Sequence, residues 1–167
     1  SSFPRANYGL NINLSYKGFS FSTLFQGATR FDMYLGSVLM MSDANTGSSP
    51  TYEFQTDYWT PENTDAKFPR LLSSTGNNGS NNTVGSDFWL INGGYLRMRD
   101  IQVGYDFKRI LLKKTSWITR LNVALSGQNI FTISEATKYG IDPENGSANR
   151  YDYPNERVFA INFGIGF

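Results

Sequence analysis

The side chains that usually carry out catalysis are scarce in this sequence. Histidine and cysteine are both absent from its 167 residues, which excludes histidine-dependent triads, thiolate nucleophiles and the commonest transition-metal ligands. Asp57 and Glu62 are a carboxylate pair of the kind that a glycosidase uses, but nothing in the sequence fixes their separation. Asp142, Glu144 and Asn145 are rich in oxygen, but their spacing lacks the EF-hand pattern of a calcium loop. We expect no catalysis, no metal and no cofactor.

Binding is the chemistry that the remaining side chains favour. The stretch between residues 57 and 89 is rich in aromatic rings, which can stack on sugar rings or pack against a protein partner. The residues expected to contact a ligand or a partner are Tyr58, Trp59, Phe68, Arg70, Phe88 and Trp89. The alternative interpretation is that the same rings pack a small core inside their own loop. For Arg70, Arg97 and Arg99 the alternatives are hydrogen bonds to an acidic substrate and ion pairs that stabilise loops.

The overall charge points to no particular class of partner. Lys and Arg number 15, and Asp and Glu number 14, so there is no electrostatic signature of binding to nucleic acid or to an anionic membrane surface. No apolar run approaches the roughly 18–20 residues of a membrane helix. Nothing at Ser1 resembles a signal peptide, so an exported protein would carry its signal upstream of this sequence or have lost it by cleavage.

Five segments alternate between apolar and small or polar residues, which is the pattern of β-strands. In the last segment one face reads Phe159, Ile161, Phe163, Ile165 and Phe167, and the other, small or polar, reads Val158, Ala160, Asn162, Gly164 and Gly166. The wet face of a soluble sheet usually carries Lys, Glu and Thr instead, so this pattern favours a strand between lipid and a lumen. The predicted strands are about 8–16, 19–27, 95–107, 120–133 and 156–167.

The lengths of the strands and of their connections favour a membrane barrel. Membrane strands have about 9–11 residues, whereas soluble strands have a mode of ~5–6. The short connections are Lys17-Gly18 and 108–119, and the long ones are 28–94 and 134–155. This asymmetry is typical of outer-membrane barrels, which have short periplasmic turns and long outer loops. We therefore expect an all-β, antiparallel transmembrane β-barrel with 28–94 and 134–155 outside and Phe167 in the periplasm.

Two details of the strands bear on this prediction. Arg97 and Arg99 have the same parity as the apolar row of their strand, so that part of the strand is expected to project beyond the bilayer. Asn129 falls on the apolar side of the following strand.

Five strands would leave two open edges. Unpaired backbone groups in lipid would cost on the order of tens of kcal/mol per edge, more than the ~5–15 kcal/mol of a folded domain. We therefore expect the chain to be one piece of a larger barrel.

Several segments together resemble a known family. In chain order they are 7–19, 58–63 with 66–70, 95–105, 126–131, 139–144 and 153–167. Their order and spacing are similar to the C-terminal part of SusC/RagA-like TonB-dependent outer-membrane transporters. The resemblance implies a plugged barrel of about 22 strands, with this chain supplying the last five. It also implies import of glycans or oligopeptides.

The same resemblance implies a set of partners. They are the rest of the barrel and its plug, outer-membrane lipid, a SusD-like surface lipoprotein that acts as a lid, and TonB, which would act through the upstream plug. The loop aromatics would then contact substrate or lid. Phe163, Ile165 and Phe167 would form the signal that the barrel-insertion machinery reads, and the terminal ring could also anchor the strand at the membrane interface.

Two other classes of protein remain open from the residues alone. One is a secreted, soluble β-sandwich that binds carbohydrate, and it would need no detergent when expressed alone. The other is a β-rich hydrolase, and it would lose activity when one carboxylate is changed.

Overall fold

The computed structural model describes residues 1–35, 56–70, 84–108, 117–145 and 155–167. Its strands are β1 (Asn7–Tyr16), β2 (Phe19–Ala28), β3 (Asp32–Tyr34), β4 (Leu90–Asn92), β5 (Tyr95–Asp106), β6 (Arg120–Ser134) and β7 (Val158–Gly166). Short 3₁₀ turns occur at Asp87–Trp89 and Ala136–Tyr139. Among the described residues, no helix has the length and apolar character needed to span a membrane.

The chain divides into two compact units. The first, here called the sheet unit, comprises residues 5–29, 95–133 and 155–167. The second, called the loop unit, comprises residues 1–4, 30–94 and 134–154.

The sheet unit is one five-stranded sheet in the order β1-β2-β5-β6-β7. The pairs β1–β2, β2–β5 and β6–β7 are antiparallel. Each of the five predicted strands overlaps one of these strands, so the prediction of an all-β antiparallel structure is confirmed. Closure of the sheet into a barrel stays a prediction.

The turn between β1 and β2 sets the register of the first hairpin. Lys17 and Gly18 both have positive φ angles, 48° and 92°, as two-residue hairpin turns of the favoured handedness require. Tyr16 therefore lies opposite Phe19, and the pairing continues without a break to Asn7 and Ala28. This register places the apolar residues of β1 opposite those of β2.

The two faces of the sheet differ in chemistry. The apolar face is largely exposed, and its exposed members include Leu10, Leu14, Leu125, Phe159, Ile161, Phe163 and Ile165. The polar face carries rows such as Asn13, Ser22 and Gln102, which lie opposite one another on three neighbouring strands. Outside the membrane, an exposed apolar surface of this extent needs a partner to cover it, whereas in a barrel wall lipid covers it.

A β-bulge corrects one expectation for β5. Between β2 and β5 the register shifts, so that Leu24 pairs with Asp100 but Phe25 pairs with Met98, which leaves Arg99 as the extra residue. The bulge reverses the parity of the strand, and Arg97 therefore lies opposite Gln26. The expectation that Arg97 lies on the face of the apolar row is wrong, because the alternation does not pass through the bulge. Projection of this part of β5 beyond the bilayer stays a prediction.

Arg97 is buried on the polar face. It is 2% exposed, and its Nε donates to Thr132 Oγ1 on β6 at 2.9 Å. Its guanidinium carbon also lies 5.9 Å from the centre of the Tyr95 ring. These contacts let the sheet hold a buried cation beside its strands.

Asn129 interrupts the extended backbone conformation of β6. Its φ angle is 52°, a left-handed conformation that Asn tolerates better than most residues. The paired ladder between β6 and β7 ends at Gln128 and Val158. Beyond it the Asn129 side-chain amide donates to the Glu156 carbonyl at 3.0 Å. A side-chain hydrogen bond thus continues the connection between the two chain segments beyond the last backbone pair of β6 and β7.

The loop unit has a core of its own. Its short strands β3 and β4 pair antiparallel, and the Leu35 amide donates to the Trp89 carbonyl at 2.9 Å. The buried side chains include Phe31, Met33, Leu35, Trp89, Ile91, Ala136 and Tyr139. Ser134 Oγ donates to the Gly94 carbonyl at 3.0 Å and so links two ends of the unit. The long connections therefore include a packed structure, which their sequence shows through its aromatic content rather than through periodicity.

Candidate binding site

The segment 56–70 is organised by the backbone and by the side chain of Asp57. The Asp57 carboxylate accepts hydrogen bonds from the Lys67 amide and the Asn63 side-chain amide, both at 3.3 Å. The Phe68 amide donates to the Asp57 carbonyl at 3.1 Å, and the Trp59 amide donates to the Phe68 carbonyl at 2.9 Å. These bonds bring the two ends of the segment together and place Trp59 close to Phe68.

The middle of this segment is a tight turn. The amide of Asn63 donates to the Thr60 carbonyl at 3.0 Å, across Pro61 and Glu62. Proline suits the second position of such a turn because its ring fixes φ near −65°. Glu62 is exposed at the tip of the turn, whereas the Asp57 carboxylate holds the loop together. The two carboxylates therefore have different structural environments.

Three aromatic rings from two segments form a cluster. The rings of Phe88 and Trp89 meet edge to face with centroids 4.8 Å apart. Phe68 lies 6.4 Å from each of them, nearly parallel to Trp89 and perpendicular to Phe88. The 3₁₀ turn at Asp87–Trp89, closed by a 3.2 Å bond from the Trp89 amide to the Ser86 carbonyl, presents two of the three rings.

Burial divides the candidate aromatics into two groups. Trp89 is 3% exposed and Phe68 is 8% exposed, so both belong to the core of the loop unit. Phe88 is 52% exposed and Trp59 is 37% exposed. The core-packing interpretation therefore describes Phe68 and Trp89, while the rings of Trp59 and Phe88 are partly exposed.

A cavity of about 570 Å³ opens beside this cluster. Its lining residues are Trp59, Ala66, Lys67, Phe68, Pro69, Arg70, Val84, Ser86, Phe88 and Trp89. Five of the six residues proposed from the sequence to contact a ligand line it, and Tyr58 does not. The backbone of Tyr58 instead pairs with that of Phe68 in a single parallel β-bridge. The volume lies within the ~300–1,000 Å³ that is typical of small-ligand sites.

Lys67 is the main lining residue that sequence reasoning missed. Its ammonium donates to the Tyr139 hydroxyl at 2.8 Å and lies 5.0 Å from the centre of the Tyr139 ring and 5.6 Å from that of Phe68. Tyr139 is 6% exposed, so its hydroxyl has a fixed position. The signal in the sequence is weak because Lys67 and Tyr139 are separated by 72 residues.

The cavity lining is apolar with a positive character. Lys67 and Arg70 are its charged side chains, and no Asp or Glu is among the described residues that line it. The arrangement can hold an apolar group beside an anion. Among the described residues that line it there is no acid–base pair for catalysis.

The other acidic candidates organise a turn. The Asp142 carboxylate accepts a hydrogen bond from the Glu144 amide at 3.0 Å, and its carbonyl accepts one from the Asn145 amide at 3.1 Å. Aspartate commonly makes such bonds to the backbone two residues ahead.

Of the residues proposed as an assembly signal, Phe163 and Ile165 lie in β7, and Phe167 directly follows it. Phe163 pairs with Val123, and Ile165 pairs with Leu121. All three side chains are exposed, Phe163 by 75%. The ring of Phe167 stacks on that of Trp117, with centroids 5.9 Å apart and planes 10° from parallel.

The sheet unit has the features of a transmembrane barrel wall. Its main strands are long, one face is apolar and exposed, and the other is polar. The loop unit carries a site suited to binding. These features are typical of a wall segment of a membrane β-barrel that carries a loop region able to bind a ligand or partner.

Comparison with known proteins gives a specific likeness. The chain is 24% identical over 177 residues to TonB-dependent receptor P3 of Formosa agariphila, covering 98% of this chain and 16% of that receptor. It is 29% identical over 172 residues to TonB-dependent receptor P39 of the same organism, covering 95% of this chain and 16% of the receptor. No protein-family model matches the sequence.

Solved structures agree in fold. A chain of the RagAB peptide importer in its open-open state superposes with a TM-score of 0.70 at 21% identity, over 98% of this chain and 17% of that one. The closed-closed state gives a TM-score of 0.68 at 21% identity, over 99% of this chain and 17% of that chain.

The resemblance to TonB-dependent transporters is therefore confirmed. TonB-dependent receptors are outer-membrane proteins. The proteins compared above are named as receptors and as a peptide importer. This chain spans only 16% to 17% of their length. In the sequence, the resemblance depends on the ordered set of segments, which together are more specific than any one of them.

Proposed function

We propose that this chain forms part of the barrel wall of a TonB-dependent outer-membrane importer. It would supply the last five strands of a barrel of about 22 strands. The observation that carries this proposal is the five-stranded sheet, which is apolar and exposed on one face and polar on the other. The likeness to TonB-dependent receptors along nearly the whole chain supports it.

The edges of the sheet support a larger barrel. Among the described residues, β1 and β7 are the end strands of the five-stranded order, so each has one hydrogen-bonded neighbour in the sheet. In hydrocarbon, an unpaired backbone group costs several kcal/mol. The free sides of both strands would pair with strands from the rest of the barrel.

The two faces of the wall have different surroundings in this proposal. Lipid covers the apolar face, and the polar face lines the lumen that the plug fills. The loops 28–94 and 134–155 lie outside the cell, while Lys17-Gly18 and Phe167 face the periplasm. The terminal residues Phe163, Ile165 and Phe167 act as the signal for barrel assembly. The chain contributes no catalysis, and energy reaches the transporter from TonB through the plug.

The cargo and lid are proposed from the relatives. RagAB is named as a peptide importer, which favours oligopeptides over glycans for this chain as well. A SusD-like lipoprotein would cover the outer loops. Trp59, Arg70 and Phe88 would then contact substrate or lid, with Phe68 and Trp89 supporting them from the core.

A secreted, soluble β-sandwich is less well supported. A sandwich packs a second sheet against the apolar face of the first. In the described part of the sheet unit there is one sheet, and its apolar face is exposed.

Uptake by whole cells tests the proposed function. Cells that express the full-length transporter are given fluorescent oligopeptides or oligosaccharides, with and without a functional TonB. We expect uptake of one cargo class that disappears when TonB is removed. Uptake that is unchanged without TonB, or the absence of uptake for both classes, would refute the importer.

A further inference from the structure

We propose that the cavity in the loop unit binds the carboxyl-terminal residue of an oligopeptide. The apolar side chain of that residue would enter the cavity beside Phe88 and Trp59, and its carboxylate would lie against the Lys67 ammonium. The inference rests on the proposed importer function and names the part of the cargo that this site recognises.

The lining of the cavity favours an apolar side chain over a sugar. Aromatic rings can stack on a sugar, but a sugar site also needs polar side chains that hydrogen-bond to its many hydroxyl groups. Among the described lining residues, Ser86 is the only one with a hydroxyl, amide or carboxylate side chain. The remaining surface comes mostly from aromatic, Pro, Ala and Val side chains. An aromatic or large aliphatic group would bury its surface there and gain edge-to-face contacts with the exposed Phe88 ring.

The charge at the cavity favours a carboxylate. Lys67 and Arg70 line it, and no acidic side chain is among its described lining residues. Lysine has three N–H donors, and one of them is used in the 2.8 Å bond to the Tyr139 hydroxyl. That bond and the nearby Phe68 and Tyr139 rings hold the ammonium in place. A carboxylate would make a charge-assisted hydrogen bond there, whereas the amino terminus of a peptide would be repelled.

The experiment compares two peptides that differ in one group. Calorimetry with the full-length transporter in detergent would measure binding of Ala-Ala-Ala-Phe with a free carboxylate, of the same peptide with a terminal amide, and of maltohexaose. We expect the free acid to bind about tenfold more tightly than the amide, since one charge-assisted hydrogen bond is lost. Maltohexaose should not compete with either peptide.

Variants assign this preference to Lys67. Lys67→Met should bring the affinity for the acid down to that for the amide and leave binding of the amide unchanged. Lys138→Met is the matched control, because Lys138 is exposed in the same unit and does not line the cavity. Tyr139→Phe removes the hydrogen bond to Lys67 but keeps the ammonium, so it separates a loss of charge from a disturbance of the loop. It should retain the preference for the acid.

A photoreactive peptide locates the site. With 4-benzoylphenylalanine as its last residue, it should label residues of the segments 59–70 or 84–89, and Phe88→Ala should weaken binding of acid and amide equally. Equal binding of acid and amide to the unaltered protein, equal effects of Lys67→Met on both, or labelling confined to other regions would overturn the inference. Peptide uptake that still requires TonB would then show that the importer stands without this subsite, whereas loss of all uptake refutes the importer itself.

Discussion

At the scale of single residues, exposure separates the aromatic side chains that form the core of the loop unit from those that are open to solvent. Trp89 is buried, and its carbonyl accepts the hydrogen bond from the Leu35 amide. Phe88 is its neighbour in sequence but is half exposed. Neighbouring aromatic residues therefore have different environments, and paired substitutions can test whether they have different roles.

Trp89→Ala should destabilise the loop unit by about 3–5 kcal/mol because it removes a buried ring and leaves a cavity. Phe88→Ala should cost about 1 kcal/mol, since that ring keeps much of its surface exposed. Hydrogen exchange at the Leu35 and Gly93 amides, which donate inside the unit, measures both changes. Equal acceleration of exchange in the two variants would contradict the division between core and surface.

Ile161 tests the assignment of the apolar face at one position. It lies in the middle of β7, is exposed, and pairs with Leu125. Ile161→Arg should destabilise the full-length barrel by about 2–4 kcal/mol, because it places a charge in hydrocarbon. The measurement is urea unfolding of the barrel in lipid vesicles.

Asn162→Arg is the matched control for that substitution. Asn162 is the next residue in β7 and donates to Ser126 on the polar face at 3.0 Å. Its replacement should cost about 1 kcal/mol, mainly for the lost hydrogen bond. A neutral Ile161→Arg, or a larger loss for Asn162→Arg, would count against lipid on the apolar face.

At the scale of elements, the tight turn between β1 and β2 sets a register that ten paired positions share. Gly18 has a φ of 92°, a conformation that side chains with a Cβ disfavour. Gly18→Val should destabilise the hairpin by about 1–2 kcal/mol and lower the refolding yield of the barrel. Lys17→Asn should be neutral or stabilising, because Asn tolerates the positive φ of 48° at that position. Identical refolding yields for the two variants would contradict this account of the turn.

Alternation in the sequence predicts the five main strands but does not predict their bulges. A strand exposes alternate side chains wherever it lies, so the period of two is visible in the residues alone. The bulge at Arg99 arises from pairing with Leu24 and Phe25 on a strand more than 70 residues away in the sequence. Local sequence contains no record of that pairing. The burial of Arg97 is a consequence of the same register shift.

The candidate site was predictable in part for a similar reason. Four of its residues are predicted because aromatics are concentrated between residues 57 and 89, and Arg70 because it lies beside them in the sequence. The place of Lys67 depends on Tyr139 from a distant segment, and the difference in exposure between Phe88 and Trp89 depends on how the 3₁₀ turn packs. The strands β3 and β4 have three residues each, which is too short for alternation to show.

At the scale of the whole molecule, the sheet unit and the relatives lead to the same proposal. The sheet is apolar and exposed on one face, and among the described residues its end strands have one neighbour each; we propose that it forms part of a larger wall. The relatives are several times longer than this chain, which covers 16% of TonB-dependent receptor P3. We therefore expect strands from the rest of the full-length protein to pair with β1 and β7 and to close the barrel.

Collision measurements with spin labels test the central claim, that lipid covers the apolar face. Labels would be attached to single cysteines that replace Leu14 or Phe163 on the apolar face and Asn13 or Asn162 on the polar face of the full-length transporter in vesicles. Labels at Leu14 and Phe163 should collide with oxygen dissolved in the bilayer, and those at Asn13 and Asn162 should be shielded from it. Labels at Leu14 and Phe163 that collide mainly with a water-soluble nickel complex would contradict the account.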